Sequence, residues 1–417
     1  LIRFTVRSLA QEAAMLARSA LLLSVLLTAL PAWAANIDLD YRVKFLPAED
    51  LAEVSLTLEK GEAIQLLDFD LHGRDAYSDF QADGQWMIED GRGKWLPGKG
   101  KASLRYRVRI SNQRKSGSYD ARMTENWVLM RGDDLVPTAR ASLRPNVELI
   151  SRLQFDLPAG WKSVETGWTR IGPQRFRVDN PSRNFDRPTG WLIAGKLGTR
   201  RERLGLTEVT VAAPPDEGMR RMEVLTLLTF VWPQVQQLFQ RDPAKLLIVG
   251  AGEPMWRGGL SGPNSLFLHA DRPLVSENGT SSLLHEMVHV IARISDHDNS
   301  DWISEGIAEF YAIELLRRAG GMTEDRYQQV RKHLTDWSRE VKSLRGEHSS
   351  GPVTARAVLL LQELDGEIRK RSNGQRSLDD VLRGLMRLEK ASTQEFIDIS
   401  ENVMGGRSKV LDTRLLR

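Results

Sequence analysis

The chain has 417 residues, 58 Lys plus Arg against 55 Asp plus Glu, 41% apolar residues and no cysteine. This balance excludes collagen, coiled coil and bulk disorder, and the missing thiol excludes disulfides, thiolate metal sites and cysteine nucleophiles. The charge is nearly balanced and forms no long basic stripe, which argues against a nucleic-acid partner.

The first segment is an export signal by its pattern. Arg18 precedes an apolar run from Ala20 to Leu30, followed by Pro31 and the A-x-A sequence Ala32-Trp33-Ala34. Residues 1–34 are therefore expected to be a signal peptide cleaved after Ala34, with Met15 as the expected true start. The run is shorter than the about 20 apolar residues that span a bilayer, so no stable membrane anchor is expected after cleavage. Removing residues 1–34 takes away three arginines and one glutamate and leaves a net charge of +1. The expected location is secreted or periplasmic in a bacterium, where cysteine-free exported proteins are unremarkable in redox terms.

Alternation of period two dominates from Ile37 onward. Ile37, Leu39, Tyr41, Val43 and Phe45 alternate with polar residues, and so do Leu104, Tyr106, Val108 and Ile110. Shorter alternating pieces lie at 54–58, 153–157, 176–178 and 209–211. Residues 35–212 are expected to be a β-rich, antiparallel domain with one wet face per strand. Trp86, Trp95, Trp127, Trp161, Trp168 and Trp191 are expected in its core.

Pro214-Pro215 marks a boundary, after which the period becomes helical. A helix is predicted over 224–238, short strands over 245–250 and 265–269, and helices over 279–294, 301–319, 323–344, 353–372, 377–388 and 393–403. Residues 213–320 form one unit of this reading and residues 321–417 a helical C-terminal part. The fold class is α+β.

His285-Glu286-Met287-Val288-His289 is an HExxH motif within an apolar helical run. Residues four apart share a helix face, so His285 and His289 can grip one Zn²⁺, while Glu286 is turned toward a water as general base. Zinc in catalytic sites takes a third protein ligand and keeps one position open. Glu305, in Trp302-Ile303-Ser304-Glu305-Gly306-Ile307-Ala308-Glu309, is the candidate, and Glu309 one turn on can accept the free ring N–H of a ligating histidine. His297, in the intervening loop, is a further candidate ligand.

HEMVH followed by WISEGIAEFYA resembles the gluzincin zinc metallopeptidases, most closely the glycyl-aminopeptidase family. Arg257-Gly258-Gly259-Leu260-Ser261-Gly262-Pro263-Asn264-Ser265 resembles that family's edge-strand region, and Leu364-Asp365-Gly366-Glu367-Ile368-Arg369 through Ser377-Leu378-Asp379-Asp380 resembles another of its segments. The similarity covers about residues 220–410. It implies a thermolysin-like catalytic domain over 213–320 with a small sheet, one Zn²⁺ per chain held by His285, His289 and Glu305, and a peptide or protein substrate.

Two positions depart from the family's pattern. Ser261-Gly262 replaces a Glu-His pair, which removes an acidic group for a substrate's free amine. The family's oxyanion-donating Tyr is replaced near Val353-Thr354, leaving His348, Tyr327, Tyr311 and Arg356 as candidate donors. The expected function is a zinc-dependent peptidase, endopeptidase or aminopeptidase, with substrate added as a strand along Leu266-Phe267-Leu268. The alternatives are an inactive zinc scaffold binding peptides or cell-envelope partners, and a hydrolase of non-peptide envelope polymers.

Overall fold

Alternating side chains of the first half meet in one core. In the strand Ala35–Leu46, Leu39, Tyr41, Val43 and Phe45 are buried while Arg42 and Lys44 are exposed. The computed structural model describes residues 35–72, 76–179 and 185–417; the signal peptide expected over 1–34 lies outside them.

A seven-stranded sheet runs in the order Thr169–Gly172, Arg175–Val178, Val147–Asp156, Ala35–Leu46, Leu51–Leu58, Ala102–Arg109 and Tyr77–Ala82. Its neighbours are antiparallel apart from one pair, Ala35–Leu46 beside Val147–Asp156, which runs parallel with Ala35 opposite Val147 and Lys44 opposite Asp156. The purely antiparallel expectation is corrected there. Nearly a hundred residues separate the two strands, enough for a crossover of the kind a parallel pair requires. Two smaller sheets pack against this one, and Trp95, Phe155, Trp161 and Phe176 fill the space between. Trp95, Trp127, Trp161, Trp168 and Trp191 are buried and Trp86 is half-buried, so these indoles serve packing.

The second half is built on a mixed five-stranded sheet, ordered Gly198–Leu204, Thr207–Ala213, Lys245–Val249, Ser265–Leu268 and Gly259–Gly262. The hairpin over 198–213, assigned by sequence to the β-rich domain, is hydrogen-bonded into this sheet through Thr207–Ala213 and Lys245–Val249. Both faces are covered. Val209, Val211, Leu246, Ile248 and Leu266 face the helices, whereas Ala212, Leu247, Val249 and Phe267 face Trp127, Leu129, Trp191 and Ile193 of the β-rich half. Burial on both sides explains why Lys245–Val249 reads as a continuous apolar run.

Among the described residues there are seven α-helices: α1 (Arg221–Phe239), α2 (Ser282–Ala292), α3 (Trp302–Arg318), α4 (Glu324–Trp337), α5 (Pro352–Arg371), α6 (Leu378–Leu385) and α7 (Thr393–Met404). None is long and apolar enough to cross a membrane. Helix α4 stops at Trp337, not near 344, because the chain then turns to bury Leu344, whose N–H bonds the carbonyl of Leu415 at 2.9 Å. Helix α3 is buried on most sides, with Trp302, Ile307, Phe310, Tyr311 and Leu315 in the core. It meets α5 closely at Gly306, where an added Cβ would stand 2.9 Å from the Cβ of Ala357.

Candidate metal centre and its cleft

Helix α2 begins where Ser281, in an extended conformation, accepts the N–H of Leu284 at 3.3 Å, and it ends at Arg293 in the left-handed region. Between these caps Leu283, Leu284, Met287, Val288 and Ile291 anchor one stripe in the core, which leaves His285 and His289 on the side facing α3. Helix α3 presents Glu305 and Glu309, one turn apart, to the same place.

The donor atoms converge. His285 Nε2 and His289 Nε2 are 3.1 Å apart, His285 Nε2 lies 3.4 Å from Glu305 Oε2, and His289 Nε2 lies 3.3 Å from Glu305 Oε1. One ligand atom from each residue falls within 4.8 Å of the others. The Nδ1 of His285 is 2.9 Å from Glu309 Oε2, which orients the ring with Nε2 toward Glu305. Two imidazoles and a carboxylate with an open side are the donor set of a catalytic zinc, so the residues fit that ion.

The groups of the centre also shift one another's protonation. Burial opposes the charge on His285, but its hydrogen bonds to Glu305 and Glu309 outweigh burial and raise it to about 10. Burial would raise Glu305, yet the two histidines bring it down to about 2.

Glu286 lies on the next face of α2, only 9% exposed, with its side chain against the strand Gly259–Gly262. An added Cβ at Gly259 would come within 2.9 Å of Glu286 Cγ, so glycine is what lets the strand approach the carboxylate. Both line a cleft of about 590 Å³ with His285, Glu305 and Glu309. Trp256, Trp337 and His333 supply aromatic wall to it, and Thr354 stands at the start of α5.

The other sequence-derived candidates lie elsewhere. Tyr311 is fully buried and donates its hydroxyl to Asp379 Oδ1 at 3.0 Å. Tyr327 packs its ring under Arg317, and His348 and Arg356 do not line the cleft. His297 is exposed on the loop between α2 and α3 and joins no metal-ligand cluster among the described residues. The strand Ser265–Leu268 is paired on both sides and cannot accept a further strand; the edge beside the cleft is Gly259–Gly262. Sequence reading missed Trp256, His333 and Trp337, whose approach to the centre depends on long-range packing that no local motif signals. A second trio, Glu253, His269 and Asp271, also brings donor atoms within 4.8 Å, but the Arg257 guanidinium already faces both carboxylates.

With this geometry, the fold can be compared with solved structures. An aminopeptidase N family protein from Idiomarina loihiensis superposes with a TM-score of 0.67 at 16% identity, over 86% of this chain and 72% of that one. An M1 zinc metallopeptidase from Deinococcus radiodurans gives 0.55 at 16% identity, over 92% and 94%. A variant of an M1 zinc metallopeptidase from that organism, bound to a Tyr-Ser-Ala substrate, gives 0.56 at 17%, over 92% and 93%. The chain has the fold of these metallopeptidases. No family model matches the sequence, and no curated protein matches it.

Two predictions test the centre. Glu309→Ala is expected to weaken zinc binding about 10- to 100-fold by freeing the His285 ring, which competition with a chelator measures; unchanged affinity would remove Glu309 from the centre. Asp296, on the loop joining α2 to α3, is raised by burial to about 6, with only partial relief from the hydroxyl of Ser304, and its Oδ1 is buried without a partner. A carboxyl raised on folding holds its proton more tightly in the folded chain, so stability is lost as pH climbs from about 4 through about 6. Asp296→Asn should therefore stabilise the protein by about 1–2 kcal/mol at pH 7, with the gain vanishing toward pH 4. Urea unfolding across that range reads the gain directly, and a gain independent of pH would reject the cause.

Proposed function

We propose that this chain is an exported zinc-dependent peptidase. The observation that carries the reading is the convergence of His285, His289 and Glu305 on one point, with Glu286 beside it in an open cleft. The likeness in fold to metallopeptidase structures, one of them with a tripeptide substrate, supports it.

Zinc, when bound, supplies Lewis acidity to a scissile carbonyl and to a water molecule. His285, His289 and Glu305 would hold the ion, with Glu309 orienting the His285 ring by accepting from Nδ1. Glu286 takes a proton from the attacking water and returns it to the leaving amine. Its burial against Gly259 keeps that carboxylate in one place and limits its contact with bulk water. An extended peptide can pair its backbone with the outer strand at Gly259, which satisfies the substrate without reading its sequence. Trp256 and Trp337 offer apolar surface to its side chains.

Cleft charge bears on the cutting mode. The three carboxylates lining the cleft, Glu286, Glu305 and Glu309, all belong to the centre, and Arg257 and Arg272 line it too. Among the described residues no further carboxylate lines the cleft to pair with a free N-terminal ammonium, which favours internal cutting over removal of single N-terminal residues. The pattern of residues 1–34 supports export.

Incubation of the zinc-loaded protein with a diverse peptide mixture should create new termini within peptides, read by mass spectrometry. Glu286→Gln should retain zinc and lose at least about 10²-fold in kcat. Undiminished cleavage by that variant would refute Glu286 as the base, and intact peptides with stoichiometric zinc would favour a binding scaffold. Intact mass of the protein from an exporting bacterial host should begin at Ala35; a retained leader would refute cleavage after Ala34.

A further inference from the structure

Addition of water to a peptide carbonyl leaves a tetrahedral oxyanion, which needs a hydrogen-bond donor besides the metal; losing such a donor typically costs about 10² to 10³ in rate. None of the tyrosine, histidine or arginine candidates read from the sequence reaches the cleft. The residues that line it are where a donor is to be sought.

Three of the six hydroxyls there are committed. Ser276 and Thr280 bond each other at 3.0 Å, and Ser282 accepts from Arg272 at 3.0 Å. Thr354 differs from them. It is 8% exposed, it lines the cleft, and its hydroxyl has no hydrogen-bond partner among the described residues. A side chain this buried that still keeps its hydroxyl open to the cleft asks for an explanation.

Its position supplies one. Thr354 is the third residue of α5, in the first turn, where the helix dipole is positive and an anion is favoured. The same turn is brought to the centre by two fixed contacts. Ala357, three residues further along α5, sits against Gly306, the neighbour of Glu305. The loop leading into α5 is tied to the start of α3 by the N–H of Ser349, which donates to Asp301 Oδ2 at 2.5 Å. Ser349 lines the cleft as well, and its own hydroxyl is buried without a partner. Val353, the neighbouring residue, packs its side chain against the hydrophobic core and carries no donor.

We propose that the Thr354 hydroxyl, at the positive end of α5, donates the hydrogen bond that stabilises the tetrahedral oxyanion of a cleaved peptide. The inference rests on the peptidase reading above. The step balances with the groups present: the water oxygen bonds to the carbonyl carbon as Glu286 takes its proton, the C=O pair moves onto oxygen while Thr354 donates without losing its own proton, and that pair re-forms C=O as the C–N electrons leave on nitrogen, which takes the proton from Glu286.

The test uses the zinc-loaded full chain and a phosphinic tripeptide, whose tetrahedral anionic phosphorus imitates that oxyanion. Calorimetry should show Thr354→Val binding it about 10²-fold more weakly than wild type, with zinc stoichiometry and melting temperature unchanged and Thr354→Ser restoring affinity. A small thiol that binds zinc but presents no oxyanion should bind all three proteins alike. In peptide cleavage the Val variant should lose kcat with little change in KM. Equal affinity of wild type and Thr354→Val for the phosphinic peptide would overturn the role of Thr354 alone. Failure of the zinc-loaded wild type to bind it at all would overturn the peptidase reading and this inference together. Should the Val variant not fold, Thr354→Ala carries the same comparison.

Discussion

Two imidazoles and a carboxylate facing one another at little more than 3 Å are held there only because α2 and α3 are fixed in the core. A metal site loosened by an ångström loses its geometry, so supporting side chains matter as much as the ligands. Here the support is dense: α2 anchors through Leu284, Met287, Val288 and Ile291, and α3 through Trp302, Ile303, Ile307 and Phe310. Trp302 is pinned further by its indole N–H, which donates to Thr393 Oγ1 at 3.1 Å at the start of α7. The long C-terminal helical part thus contributes to a centre none of whose ligands it supplies.

The β-rich half contributes in a different way. Its Trp127, Leu129, Trp191 and Ile193 form the second cover of the five-stranded sheet, without which Leu247, Val249 and Phe267 would face water. Arg114 lies over the ring of Trp256, 4.4 Å from its centroid, so one wall of the cleft is braced from that half. A sheet that needs cover on both faces makes the two halves a single folding problem. Burying those apolar residues is worth roughly 25 cal/mol per Å² removed from water.

Much of this was legible in the sequence, for particular reasons. HExxH within an apolar helical run places both histidines through helix geometry alone, and the Glu305/Glu309 spacing does the same on α3. Helices with strong caps, such as α6 at Ser377 and α7 at Ser392, sat close to their predicted bounds. The strand Gly198–Leu204 was missed because its run of Thr199, Arg200, Arg201, Glu202 and Arg203 is an exposed edge with no apolar alternation. The parallel pairing of Ala35–Leu46 with Val147–Asp156 leaves no local trace, since alternation reports a face and not a neighbour. The oxyanion candidates failed for a related reason: residue type nominates a donor, but only tertiary packing decides whether Tyr311 or Thr354 meets the cleft.

The indole of Trp191 donates to the carbonyl of Leu260 at 2.7 Å, and Gly190 lies against Gly262. These contacts sit on the outermost strand of the five-stranded sheet, the kind of edge that in many proteins recruits a strand from another molecule. The β-rich half therefore meets that strand between Leu260 and Gly262, while the stretch beside Glu286 at Gly259 faces the cleft. A tract that small can hold one or two residues of a guest chain but is too brief to template a second copy of the sheet. The same tryptophan thus ties the β-rich half to the strand that borders the cleft.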